Sequence, residues 1–356
     1  MKRLPAPVVK RRGFTLVEVL VAMVIGMIGV IIMMQVFTTS EAQRRATTGT
    51  GDAQSNGAMA LYILQRDIRQ AGFGFNALNA LACPLTLPAP SGHTLSQLAP
   101  VIINPPDVPA GDANTDRLLI AYGSGDGSPE GAVITLAMGA ALGVDTAASF
   151  NVNERVMVAP SAPTIGCALT TLTVTAVAPP IVTTSAAGGA NDGDTLFNLG
   201  FAPRVFAYAV RGGDLTVCDY LQNDCSIAAN TGNPAIWVPI ASDIVSLRAQ
   251  YGRDTTAPGM DGNIDVWDQT TPQQLVPPDQ EAFACRWART LAVRIAVVAR
   301  NTQFSRDILT AAAPTWEGSA TAPINLSGLA NWQNYRYRVS ETVIPLRNLP
   351  WMPACS

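Results

Sequence analysis

From Phe14 to Phe37 the chain runs through 24 residues in which Glu18 is the one ionisable side chain, and Lys10, Arg11 and Arg12 stand just before it. As a helix this run spans roughly 36 Å, enough to cross a bilayer whose hydrocarbon core is about 30 Å thick. It is too long for the apolar region of a secretory signal, and no small-residue cleavage pattern follows it near Gln35. A plain membrane anchor does not explain Glu18. A lone carboxylate at that depth costs about 2.5–3.5 kcal/mol on insertion scales, so it calls for a partner.

The charges set the expected orientation. Lys2, Arg3, Lys10, Arg11 and Arg12 give the first thirteen residues +5 with no acid. Positive flanks stay in the cytoplasm, so everything after Phe37 is expected in the periplasm. The rest of the chain sets 18 basic residues against 26 acidic ones, a balance of −8. Bulk electrostatics therefore give no reason to expect nucleic acid as a partner. Six cysteines, an even number, suit disulfides in an oxidising compartment. Six allow 15 pairings, and the sequence does not choose among them. Cys218 and Cys225 flank a short loop and are one candidate pair, with separate partners as the alternative. No CxxC occurs and His93 is the only histidine, a poor basis for a zinc site.

No proline stands between Val8 and Cys83, although the chain has 26. This predicts one long helix from Phe14 to about Ala71. Its second half carries Ala60, Leu61, Leu64, Ile68 and Ala71 at helical spacing with Gln65, Arg66 and Arg69 between, the pattern of a helix laid on a core. Gly72 to Gly74 are expected to end it. Beyond Cys83, short β-like runs alternate with Pro, Gly, Asn and Asp. They are predicted at 117–122, 132–136, 155–158, 169–177, 204–210, 215–220, 236–240, 244–251, 290–300 and 335–344. Gly212-Gly213 reads as a hairpin turn. Along 290–300, Leu291, Val293, Ile295 and Val297 share one face while Arg294 and Arg300 take the other, so one packed and one wet face are expected.

At the N-terminus, Gly13, Phe14, Thr15, Leu16, Val17 and Glu18 resemble the class III leader of type IV prepilins. The resemblance implies cleavage after Gly13 by a prepilin peptidase, methylation of the new N-terminal Phe14, and pairing of Glu18 with the N-terminal ammonium of a neighbouring subunit. The body is similar to the PilW family of minor pilins through several ordered segments. These are LQRDIRQAGFGF (64–75), RVFAYAVRGGDLTVCDYLQNDC (204–225), LRAQYGRDT (247–255), MDGNIDVWDQTTP (260–272) and YRYRVSETVIPLRNLPW (335–351). The implied architecture is α+β and pilin-like, a long N-terminal helix packed on an antiparallel sheet domain. The expected divisions are a cleaved leader 1–13, a membrane and assembly helix 14–37, its periplasmic half 38–75, and a β-rich head 76–356. The implied role is a minor pilin that primes pilus assembly and sits at the fibre tip. Its partners would be other minor pilins, the major pilin, the inner-membrane assembly platform and a tip adhesin. The alternative is a minor pseudopilin of type II secretion, which shares the leader and the plan.

Asp261, Asn263 and Asp265 alternate like the first half of a calcium loop, with Asp254 and Asp268 nearby, but Pro272 stands where the twelfth-position Glu belongs. An Asx-type turn explains the same residues, so no cofactor is expected and calcium is the one metal to test. An enzyme is not expected. A Ser-His-Asp set would have to use His93, which lies in a Pro/Ser/Gly-rich loop without a nucleophile elbow, and no phosphate-binding glycine motif occurs.

Overall fold

The computed structural model describes residues 13–75, 77, 79–125, 127–162, 166–272 and 285–349. It has two compact units, divided between Gly51 and Asp52. A single helix, Leu16–Gln70, contributes to both. The first unit holds the apolar stretch Leu16–Glu41, which has a mean hydropathy of 2.8 and is the one stretch among the described residues long and apolar enough to cross a membrane.

The second unit is α+β. Ala60, Leu64, Ile68 and Ala71 are buried on the helix and belong to one hydrophobic core with two antiparallel sheets. The five-stranded sheet runs in the order Val238–Ala241, Asp214–Asp219, Arg204–Arg211, Leu118–Tyr122, Val101–Ile103. The four-stranded sheet runs Val266–Asp268, Ile244–Arg253, Thr290–Arg300, Tyr337–Pro345. The helix stops where predicted. Gly72 and Gly74 take φ of +83° and +86°, which suits glycine, and a Cβ on Gly72 would press on Pro100 and on the Asn348 carbonyl. Asn348 Nδ2 donates to the carbonyls of Gln70 (3.2 Å) and Ala71 (3.1 Å), satisfying acceptors that the helix end leaves open. Gly212 and Gly213 both have positive φ and join Arg211 to Asp214, as a two-residue primed turn requires.

Residues 123–203 leave the five-stranded sheet at Tyr122 and return at Arg204, its cross-strand partner. Between these points six strands pair in a ring. Leu169–Ala178 pairs Arg155–Ala159, then follow Thr195–Gly200, Ala132–Met138, Ala141–Val144 and Ile181–Thr184, which returns to Leu169–Ala178. This is a small closed antiparallel barrel with its own interior of Ile134, Leu142, Val156, Leu172, Val174 and Leu196. Register shifts at 134/136, 174/176 and 198/200 let the strands bend enough to close, and closure removes the free edges.

One face assignment is corrected. Thr290–Arg300 is buried on both sides, because the segment after it folds back and lays Trp316, Ala322, Ile324 and Leu326 over Ala296 and Val298. Arg294, expected in solvent, is 8 % exposed. Its guanidinium lies 4.5 Å from the Trp267 ring centre and 5.4 Å from that of Trp316, and its Nε donates to Gln250 Oε1 at 2.6 Å. Aromatic faces and one amide replace water as its surroundings.

Candidate functional site

The N-terminal end of the helix is built by a local signal. Gly13, Phe14 and Thr15 precede the first helical residue, Leu16. Thr15 acts as the N-cap, its Oγ1 accepting the Glu18 N–H at 3.3 Å. The T-x-x-E spacing of Thr15 and Glu18 is that of a capping box, a local signal carried by the sequence itself. Glu18 thus sits in the first turn, where the helix dipole favours an anion. Phe14 and the apolar side chains that follow are exposed all round the helix. A helix without a polar face needs lipid or other helices around it.

The helix enters its sheets through a buried polar cluster. Asp67 is 0 % exposed. Its Oδ1 accepts Arg66 Nε at 2.8 Å and the Tyr122 hydroxyl at 3.3 Å, and its Oδ2 accepts the Tyr208 hydroxyl. Burial, helped by the Asp67 charge, pushes the Tyr122 hydroxyl up to about 12 and that of Tyr208 further in the same direction. Both phenols therefore remain donors to the carboxylate at neutral pH. The hydrogen bond to Asp67 raises Arg66.

Cys218 and Cys225 form a disulfide across their short loop, and a second joins Cys83 to Cys167. Cys285 is also disulfide-bonded, while Cys355 and Trp351 lie outside the described residues. Sequence reasoning had no means of finding the 83–167 pair.

The 254–268 loop is knitted by its own carboxylates. Asp254 Oδ2 accepts the N–H groups of Asp261 (2.9 Å) and Gly262 (2.8 Å). Asp261 accepts the Asn263 N–H at 2.9 Å, which holds its carboxyl below the usual carboxylate range. Asp265 Oδ2 accepts the Thr255 N–H at 2.7 Å. Among the described residues no group of three or more His, Cys, Asp or Glu side chains is disposed to hold a metal ion. With these oxygens turned to loop donors, excess EDTA is expected to leave the melting temperature of the purified chain unchanged. A fall that added calcium reverses, and that Asp265→Ala abolishes, would instead assign a calcium site to Asp261, Asn263 and Asp265.

His93 lies between two loops. Its Nδ1 is 3.3 Å from Ser226 Oγ and its Nε2 is 3.5 Å from Asp107 Oδ1. The Ser226 hydroxyl, however, donates to Asp224 Oδ1 at 2.5 Å, so its proton is turned away from the imidazole. Such an arrangement ties loops together and does not activate a nucleophile.

Two family models match the sequence. Residues 214–348 match the type IV pilus-assembly protein W family, and residues 9–34 match the prokaryotic N-terminal methylation motif. The chain matches a PilW-type pilin. The first match covers the whole four-stranded sheet and ends at Asn348, which caps the helix. The second covers the N-cap, Glu18 and most of the apolar span. In these two segments the chain is similar to type IV pilus-related pilins, domains of that family are structural, and the N-terminal segment lies on a helix long and apolar enough to cross a membrane. No curated protein and no solved structure matches the chain.

Proposed function

We propose that the chain is a minor pilin that co-assembles with other minor pilins to prime a type IV pilus and takes a place at the fibre tip. A prepilin peptidase removes residues 1–13, and Phe14 becomes the methylated N-terminus. The domain beyond Phe37 is exported to the periplasm, where its disulfides form. No catalytic step is assigned to it. The observation that carries this reading is the joining of two features in one chain. These are a capped apolar helix with a carboxylate in its first turn, and a head whose second sheet matches a pilus-assembly family. The same match favours the pilus over the secretion-machine alternative.

Processing is the direct test. The intact mass of the mature protein is expected to lack residues 1–13 and to include one added methyl group on Phe14. A chain still beginning at Met1 in cells with active peptidase would overturn the processing claim. Co-purification with other pilins from membranes tests the assembly claim, and finding the chain alone would count against it.

A further inference from the structure

Where the helix ends, an open cleft of about 820 Å³ is lined by three arginines, Arg66, Arg69 and Arg204, and by the rings of Phe73, Tyr122 and Phe206. The concentration of cations is notable in a body whose balance is −8. Their compensation within the chain is partial. Arg66 uses its Nε on Asp67, and its side chain remains half exposed. Arg204 reaches Asp219 at 3.5 Å with its side chain 45 % exposed. Arg69 has no ion pair or side-chain hydrogen bond among the described residues. Of the two carboxylates near these arginines, Asp67 is buried beneath the cleft wall and already holds two tyrosine hydroxyls.

Three guanidinium groups facing one space repel each other unless an anion is supplied. Arginine presents a fixed fork of donors that fits carboxylates in pairs, which makes such a set suited to more than one acid at a time. The rings add an apolar component, and Phe73 is 41 % exposed at the cleft. A small free anion would use the charges and leave these rings wet. An extended peptide with carboxylates spaced along an apolar backbone would use both. The guanidinium of Arg204 lies 5.6 Å from the Phe206 ring centre, which holds its fork near the aromatic wall.

We propose that this cleft is the docking site for an acidic, extended segment of another pilus subunit, whose carboxylates are held by Arg66, Arg69 and Arg204. The proposal rests on the minor-pilin reading above and adds to it the chemistry of one contact. The test uses the full-length chain in membranes of its own cells, with a photo-crosslinking amino acid in place of Gln70, which also lines the cleft. The expected product is a crosslink to a segment of another pilin carrying at least two Asp or Glu residues. Its yield should fall at least tenfold in the Arg69→Glu/Arg204→Glu variant and recover when the acids of that segment are changed to Lys. If the double Glu variant has lost its wild-type melting temperature, Arg69→Gln/Arg204→Gln takes its place with the same expectation. Unchanged crosslinking in the variant, a captured segment without acids, or capture of phospholipid instead of protein would overturn the proposal. So would absence of any crosslink while the wild-type chain still co-purifies with other pilins. In that case the minor-pilin reading stands and the cleft assignment falls. A wild-type chain that co-purifies with no pilin removes the reading on which the proposal rests, and the proposal falls with it.

Discussion

Replacing both Cys83 and Cys167 by alanine is expected to destabilise the head by about 4–5 kcal/mol, against about 2–3 kcal/mol for the Cys218/Cys225 pair. The contrast follows from loop length. The first bridge closes a sequence separation of 84 residues and the second a separation of 7. On the chain-entropy model the longer closure removes more freedom from the unfolded chain. The native geometry supports the bridge without rearrangement. Strand Leu85–Thr86 pairs in parallel with Leu169–Thr170, and each cysteine lies two residues before its strand, so the register sets them opposite each other. Cys83 is fully buried and Cys167 packs on the same core. The bridge thus fastens the start of the barrel's longest strand to the segment that follows the helix. Urea unfolding of the full-length chain in detergent, followed by tryptophan fluorescence, provides the measurement. Equal losses for the two double variants, or the larger loss at Cys218/Cys225, would show that loop closure is not the source of the stability.

The sequence made the framework legible wherever a signal was local. The absence of proline and the Gly72–Gly74 stop place the helix within two residues of its observed ends. Each of the ten predicted strands is present, because each has enough apolar or β-branched residues to show a period. Among the described residues six of the seven that were not predicted have four residues or fewer, and the seventh, Thr195–Gly200, has six. Leu85–Thr86 and Thr94–Leu95 have two residues each, and Ala141–Val144 has four, of which two are Ala and Gly. Such segments become strands through their neighbours and not through their own pattern. Barrel closure was hidden for the same reason, since Leu169–Ala178 serves one neighbour with its first half and another with its second. The burial of Arg294 depends on a cover, 301–335, in which the alternation of Ala322, Ile324 and Leu326 is too brief to mark an element. The site divides likewise. Gly13, Phe14 and Glu18 stand together in the sequence and were read there. The arginine cleft joins the helix end to Arg204 on the central hairpin, a meeting that only the fold creates.

Changing Glu18 to alanine is expected to leave the chain inserted, cleaved and folded, and to remove it from the pilus-initiating complex. The carboxylate lies about one helical turn from the proposed mature N-terminus, and its backbone N–H is held by Thr15 Oγ1, so its position at the top of the helix is fixed locally. In lipid a single carboxylate is costly, and so is a single ammonium at the same depth. When two subunits meet, each cost is reduced by the other charge in a medium of low dielectric, where the attraction exceeds that of a surface ion pair. Removing one partner leaves the other charge buried and uncompensated, a loss of about 3–5 kcal/mol. At about 1.4 kcal/mol per tenfold, incorporation should fall on the order of a hundredfold or more. The head should not register the change, because Glu18 and the head's core belong to different compact units. The Cys218–Cys225 disulfide and the melting temperature should match wild type, which separates an assembly defect from a folding defect. Glu18→Asp keeps the charge and shortens the reach by one methylene, so it should retain partial assembly. Surface piliation and co-purification of partner pilins, compared across the two variants, decide the matter. Normal piliation in the Glu18→Ala strain would show that the charge pair is dispensable. Equal defects in the Ala and Asp variants would assign the requirement to geometry and not to charge.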